Sequence, residues 1–316
     1  MLSLLIGCVL SSCEYFAVSL DAYDHEVTAS ELWRDYIDEL DARLRTECWG
    51  VDDYNGLGWQ PRVFHWPSRA PQGYATIRSV EWKAIRSTRI GQIPMNSSYG
   101  PLDVHTVGLP REHGKVQLDQ VQHMWTLHVL VKSLNFDLDN PYNVLIEFGG
   151  GTGQMAKVLK DVKYAGIHVV HDFIQLLVLQ EYFLAKVGVN VTLGPIGTSL
   201  NRVFHVPAGV SWEYDAYNYD SVTFVATYSL TETDMGTRNA VLPYLKYCDR
   251  IYIVFWKTWN HAGDNIDNIA YINALIVDIR ETHDYVRSSH FNNGHYFMAC
   301  RRPCGPIYMP NMTRAI

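Results

Sequence analysis

Val144-Leu145-Ile146-Glu147-Phe148-Gly149-Gly150-Gly151-Thr152-Gly153-Gln154-Met155-Ala156 is the stretch on which the fold turns. Its first five residues form a short, nearly all-apolar run of the kind a strand buried on both faces requires. Four glycines in the next five positions mark a turn where the backbone takes positive φ or something approaches it closely. From Gln154 to Lys163 the pattern is that of a helix. Strand, glycine turn and helix in succession open a βαβ unit.

The same alternation continues downstream. Ile167–Val170 reads as a strand and Phe173–Val187 as a helix. Further strands are predicted at Val189–Leu193, Arg202–Val206, Ser221–Ala226, Arg250–Phe255 and Gly294–Arg301, with helices over 234–247 and 266–282. Alternating elements predict an α/β fold with a doubly wound, Rossmann-like parallel sheet. Upstream the texture differs. Thr28 and Glu31 fit a capping box ahead of Leu32, Tyr36, Ile37, Leu40 and Leu44 at helical spacing. Residues 49–112 are rich in Gly, Pro, Trp and Tyr without a period, and a second helix is expected over 116–134. Asp, Asn and Pro between Asn135 and Tyr142 mark the boundary. The expected division is a helical and loop-rich region at 1–140, serving as lid and acceptor site, and a cofactor domain at 141–316.

Composition narrows the function. Of 316 residues, 47% are hydrophobic and 19% charged, which is globular composition. A net charge of −7 without a dominant basic stripe argues against nucleic acid as a partner. Lys83, Arg86 and Arg89, spaced by three, would share one helix face. The six cysteines form no CxxC pair, so free thiols are expected, with a Cys300–Cys304 disulfide as the alternative. Leu2–Leu10 is apolar but lacks a basic lead and is too short to span a bilayer. It reads as a buried first element more readily than as a signal, which tilts localisation toward the cytoplasm and leaves the compartment and the oligomeric state open.

The glycine motif separates two cofactor classes. A dinucleotide fingerprint would place its third glycine at 154, which is Gln154. The observed pattern is E-x-G-x-G-x-G, from Glu147 through Gly149, Gly150, Gly151 and Gly153. Glycines let the backbone approach a ligand where a Cβ would clash. A second acid, for ribose hydroxyls, is expected at the end of the second strand about 20–25 residues on, and Asp172 stands there. This arrangement resembles the first motif of class I S-adenosylmethionine (SAM)-dependent methyltransferases. Cofactor contacts are then expected from Glu147, Gly149, Gly150, Gly151, Gly153, Gln154 and Asp172.

A narrower resemblance rests on three segments. Ile146 to Ala156 looks like the E-I-G-G-G-x-G-x-x-A opening of the putative sugar O-methyltransferases. His171 to Leu184 resembles that family's D-L-P-x-L-L-x-L-Q-x-Y-L segment, with Phe173-Ile174 in place of Leu-Pro. Tyr228-Ser229-Leu230-Thr231-Glu232 is similar to its S-x-S-E-M stretch. The resemblance covers roughly 143–260 and implies methyl transfer to a hydroxyl of a sugar or glycan.

A sugar hydroxyl is a weak nucleophile, so a general base is expected, histidine first among residue types. His261 follows the fifth strand, His123 lies on the helix before the cofactor domain, and His205 lies near the fourth strand. Glu232 would contact the acceptor or orient the base. Mg²⁺ is a less favoured alternative, using Asp264-Asn265 or Asp267-Asn268 with Glu232 or Asp234. Three rivals remain: an RNA cap 2′-O-methyltransferase using Lys257, a methyltransferase-like binding module without catalysis, and a nicotinamide-dependent oxidoreductase.

Overall fold

The computed structural model describes residues 20, 31–46, 72–94, 118–193, 203–208, 219–261, 264–289 and 294–307. The apolar N-terminal run, Thr28, and most of the irregular 49–112 stretch lie outside them. Cα packing divides the chain into two interleaved units, Met1–Trp125 with Gly150–Val162 and Asp172–Val210, and Thr126–Gly149 with Lys163–His171 and Ser211–Ile316. No helix among the described residues is long and apolar enough to cross a membrane.

In the first unit, helix α1 (Glu31–Thr46) presents Ile37, Leu40 and Leu44 to one core. Its outer face carries the i,i+4 pairs Glu39–Arg43 and Asp41–Arg45, worth a few tenths of a kcal/mol each, about 0.3–0.5. Helix α2 (Gln72–Ile85) stands within the stretch read as irregular. It ends at Ile85, whose carbonyl accepts from both N–H and hydroxyl of Thr88. The three basic residues therefore do not share a helix face: only Lys83 is helical, and Arg89 donates to the Val162 carbonyl at 2.6 Å. Helix α3 (Leu118–Ser133), counted with the second unit from Thr126 on, buries Val121, Trp125 and Val129. Helices α4 (Gln154–Asp161) and α5 (Ile174–Lys186) bring Ala156, Leu176, Val178, Leu179, Phe183 and Leu184 into the α1 core. Strands β3 (Val191–Leu193) and β4 (Val203–Pro207) pair in parallel.

The strands of the second unit are β1 (Asn143–Phe148), β2 (Ile167–Asp172, its last residue counted with the first unit), β5 (Ser221–Thr227), β6 (Arg250–Trp256), β9 (His283–Ser289) and β10 (Gly294–Arg301). They are hydrogen-bonded in the order β2-β1-β5-β6-β10-β9. The first four are mutually parallel, and β10 runs antiparallel between β6 and β9. β1, β5 and β6 are largely apolar, and β2 is buried although it carries His168, His171 and Asp172; Phe224 and Phe255 are fully buried, along with Phe297 on β10. Burying each of these rings is worth about 1.5–3 kcal/mol. Asn143 fixes the register at the amino ends: it donates to the Asp137 carbonyl and accepts from Ser221, which in turn accepts from Arg250. Helices α6 (Met235–Leu245) and α7 (Asn268–Ile279) follow β5 and β6. A hairpin of β7 (Thr258–His261) and β8 (Asp264–Asp267) precedes α7.

The chain leaves β1 for β2 on one side and returns to β5 on the other. Strand order reverses at β1, and in such sheets the crevice beyond the strand's carboxyl end is the place for a ligand. The doubly wound α/β fold is therefore present, with the glycine turn at its switch point. Cys300 and Cys304 are joined by a disulfide, with their Cα atoms 5.9 Å apart, within the span such a bridge requires. This corrects the expectation of free thiols at both positions. Cys248 is a buried free thiol, and burial pushes its pKa up to about 12.

Candidate functional site

In the first unit the glycine turn meets Asp172 directly. Gly151 has φ +56, and a Cβ built there meets no atom within 4 Å: that side of the turn is open. Its N–H donates to Asp172 Oδ2 at 3.1 Å. The same oxygen accepts from Gln180 Nε2 at 3.0 Å, and Oδ1 accepts from the Phe173 N–H at 2.9 Å. Asp172 is 7% exposed, so backbone and side-chain donors orient a nearly buried carboxylate. Gly153 closes the turn onto the Gly150 carbonyl and caps α4, while Gln154, the first residue of that helix, is buried.

In the second unit the carboxyl end of β1 is held by two neighbours. The Gly149 N–H donates to the His171 carbonyl at 2.7 Å, and Ser229 Oγ donates to the Phe148 carbonyl. A Cβ at Gly149, where φ is +74, would lie 2.3 Å from the Ser229 Cβ, so only glycine allows this approach. Glu147 points into the protein: it is 1% exposed, and its Oε2 pairs with His168 Nε2 at 3.0 Å. His171 is also buried, and burial lowers its pKa to about 3, which keeps it neutral near pH 7.

Beyond β5 the chain turns sharply. Tyr228 has φ +71, an unusual conformation for a bulky side chain and one found where function constrains the backbone. Its ring stacks on Trp256 at the end of β6, centroids 4.6 Å apart. Trp256 Nε1 donates to Glu232 Oε1 at 3.2 Å, so half-buried Glu232 has a set orientation. Behind this turn lies Arg238, which is fully buried. It donates to the Thr233 carbonyl at 2.9 Å, to Asn268 Oδ1 at 2.7 Å and to the Thr231 carbonyl, with the Tyr271 ring 5.3 Å away. Asn268 also donates to the Trp256 carbonyl at 2.8 Å. One buried guanidinium thus ties the turn carrying Glu232 to the start of α7. Burial lowers the Arg238 pKa.

The expected base candidates are dispersed. His123 is half-buried on α3. His205 lies on β4 with no exposed surface. His261 ends β7 opposite Asp264 in the hairpin, and its side chain is outside the described residues. Two carboxylates weighed for metal have structural roles. Asp267 caps α7 by accepting from the Ile269 and Ala270 N–H groups. Asp234 caps α6 through Thr237; burial alone would raise its pKa, but hydrogen bonds from Thr237 and from the backbone of Asp234 and Gly236 together prevail and lower it. Among the described residues no group of three or more His, Cys, Asp or Glu side chains comes together as a metal site. Lys257 is exposed directly after β6.

Sequence reading missed Gln180, Tyr228, Trp256 and Arg238. Gln180 alone left a signal, as a polar residue inside the apolar run Leu176–Leu179 and Phe183–Leu184.

No family model matches the chain, and no curated protein matches it in sequence. Solved structures do. The pyocyanin biosynthetic protein PhzM aligns over 58% of this chain and 57% of its own, with 11% identity and a TM-score of 0.34. The small RNA methyltransferase HEN1 aligns over 58% and 26%, with 11% identity and a TM-score of 0.40. Magnesium protoporphyrin IX methyltransferase from Synechocystis PCC 6803, with bound S-adenosylhomocysteine, aligns over 58% and 83%, with 15% identity and a TM-score of 0.39. The chain thus spans little more than half of PhzM and about a quarter of HEN1.

Proposed function

We propose that this chain is a SAM-dependent O-methyltransferase acting on a hydroxyl, that of a sugar or glycan. The observation that carries the reading is the Gly151–Asp172 contact: a glycine turn open on its outer side, at a topological switch point, bonded to an acid that ends the next strand. A nucleoside with a ribose and no pyrophosphate suits this turn. The open side of Gly151 admits the ligand, and Asp172 offers a carboxylate to the ribose hydroxyls. Glu147 Oε1, buried and without a hydrogen-bond partner among the described residues, is an acceptor suited to a cationic amino-acid tail.

When bound, the sulfonium cofactor supplies an electrophilic methyl group. The protein has to align the acceptor oxygen with it and take the oxygen's proton. Glu232, oriented by Trp256 and by the Arg238 network behind it, accepts a hydrogen bond from the acceptor hydroxyl in this reading. The stacked Tyr228–Trp256 pair supports a sugar, whose apolar ring faces pack on aromatic rings. His261 or His123 serves as general base, and residues 1–140 supply the lid and part of the acceptor site. The test is calorimetric titration with S-adenosylhomocysteine, NAD as competitor, and Asp172→Ala as control. Tritiated methyl transfer to a glycan panel follows, with and without Mg²⁺, in wild type and Glu232→Gln. Failure of well-folded protein to bind S-adenosylhomocysteine overturns the proposal.

A further inference from the structure

Gln180 is the polar exception in an apolar helix. On α5 it is flanked by Leu176, Leu177, Val178, Leu179, Phe183 and Leu184, all buried, and it has no exposed surface itself. Among the described residues its amide has one hydrogen bond, from Nε2 to Asp172 Oδ2 at 3.0 Å. Oε1 is buried without a partner among the described residues. The amide orientation follows from its neighbour: an ionised carboxylate only accepts, so the NH₂ group must face it. A leucine or methionine would fill the same volume and leave no orphaned oxygen. A buried amide that leaves its oxygen unpaired, where an apolar residue would be more stable, belongs where function sets the residue type.

The place of the bond says which function. Asp172 Oδ2 lies between the Gly151 N–H and Gln180 Nε2, and Oδ1 is held by the Phe173 N–H. The two backbone donors come with any aspartate at this point of the fold. The amide is the one side-chain donor among these three, and it reaches the carboxylate from two helical turns further on, so it limits rotation of the carboxylate about its χ2 bond. We infer that Gln180 is a positioning residue for nucleoside recognition, holding the Asp172 carboxylate in the plane that receives the ribose hydroxyls. The inference rests on the cofactor reading above and names the group that gives it selectivity for ribose.

The test compares ligands on each protein. S-adenosylhomocysteine and its 2′,3′-dideoxy analogue are titrated into wild type, Gln180→Met, Gln180→Glu, Asp172→Asn and the Asp172→Asn/Gln180→Met double variant, with melting curves for each. Gln180→Met keeps the volume and removes the donor. It is expected to weaken S-adenosylhomocysteine about tenfold, the scale of one charge-assisted hydrogen bond. Its preference for the parent ligand over the dideoxy analogue should fall toward one. Gln180→Glu, which faces Asp172 with a second acceptor, should weaken binding further. In the Asp172→Asn background, Gln180→Met should add less than about a twofold loss, as expected of residues acting as one unit. A purely packing role would shift melting and leave the ligand preference unchanged, which would overturn the inference, as would independent losses in the double variant. Wild type that binds neither ligand overturns the cofactor reading itself; wild type that binds with an unperturbed Gln180→Met overturns this inference alone.

Discussion

Alanine at Gly149 and at Gly151 poses the same backbone problem with two different surroundings. Both residues have positive φ, +74 and +56, so each alanine costs about 1–2 kcal/mol for the left-handed conformation. At Gly149 the new methyl would also lie 2.3 Å from Ser229 Cβ and 2.9 Å from its Oγ. Carbon contacts are normally about 3.5–4.0 Å, so Ser229 must move and its bond to the Phe148 carbonyl must break. Overpacking of this kind adds about 1–3 kcal/mol. Gly149→Ala should therefore be destabilised by about 2–5 kcal/mol and Gly151→Ala by about 1–2. At about 2–4 °C per kcal/mol for a chain of this size, circular-dichroism melts should separate the two by several degrees. Ligand binding should order them differently. The Gly151→Ala methyl enters the open side of the turn, so S-adenosylhomocysteine binding should be lost from a protein that still folds. If Gly149→Ala melts no lower than Gly151→Ala, the Ser229 contact is wrong. If Gly151→Ala binds with full affinity, the open side of the turn is not the ligand's.

Three further outcomes are expected. Arg238→Met leaves the carbonyls of Thr231 and Thr233 and the Asn268 side chain without their donor, and should lower unfolding stability in urea by about 2 kcal/mol or more; an unchanged midpoint would refute its role as the tie behind Glu232. Digestion without reduction should yield a peptide linked between Cys300 and Cys304, and Cys248 should react with an alkylating agent only after unfolding. Stability should also fall with acid. His171 has a folded pKa of about 3, below the roughly 6.5 of the unfolded chain, so its contribution is complete above about pH 6.5 and is lost as pH falls toward 3. The slope is about 1.4 kcal/mol per pH unit, and His171→Asn should flatten the urea-stability profile by one proton's worth.

The alternation of elements from 143 to 301 was legible because β1, β5 and β6 are largely apolar runs bounded by turn residues. Boundaries came within a few residues for most strands, and Gly294–Arg301 matched. Two elements were not legible. β9, His283–Ser289, carries Asp284, Arg287 and two serines on a sheet edge, so no apolar run announces it. The β7–β8 hairpin has four residues on each side, too few for alternation to register.

The sequence by itself placed the glycine turn after a strand and set Asp172 at the right distance from it, because both are local signals counted along one chain. Only tertiary structure could join Gly151 to Asp172 across 21 residues, bring Gln180 beneath the same carboxylate, or stack Tyr228 on Trp256 with Glu232 bonded to the indole. Tertiary structure also turned Glu147 inward to His168 and made Asp267 a helix cap. The physical reason is the same in each case: a polar side chain's role is set by which donor or acceptor the fold brings within about 3 Å, and periodicity contains no record of that partner.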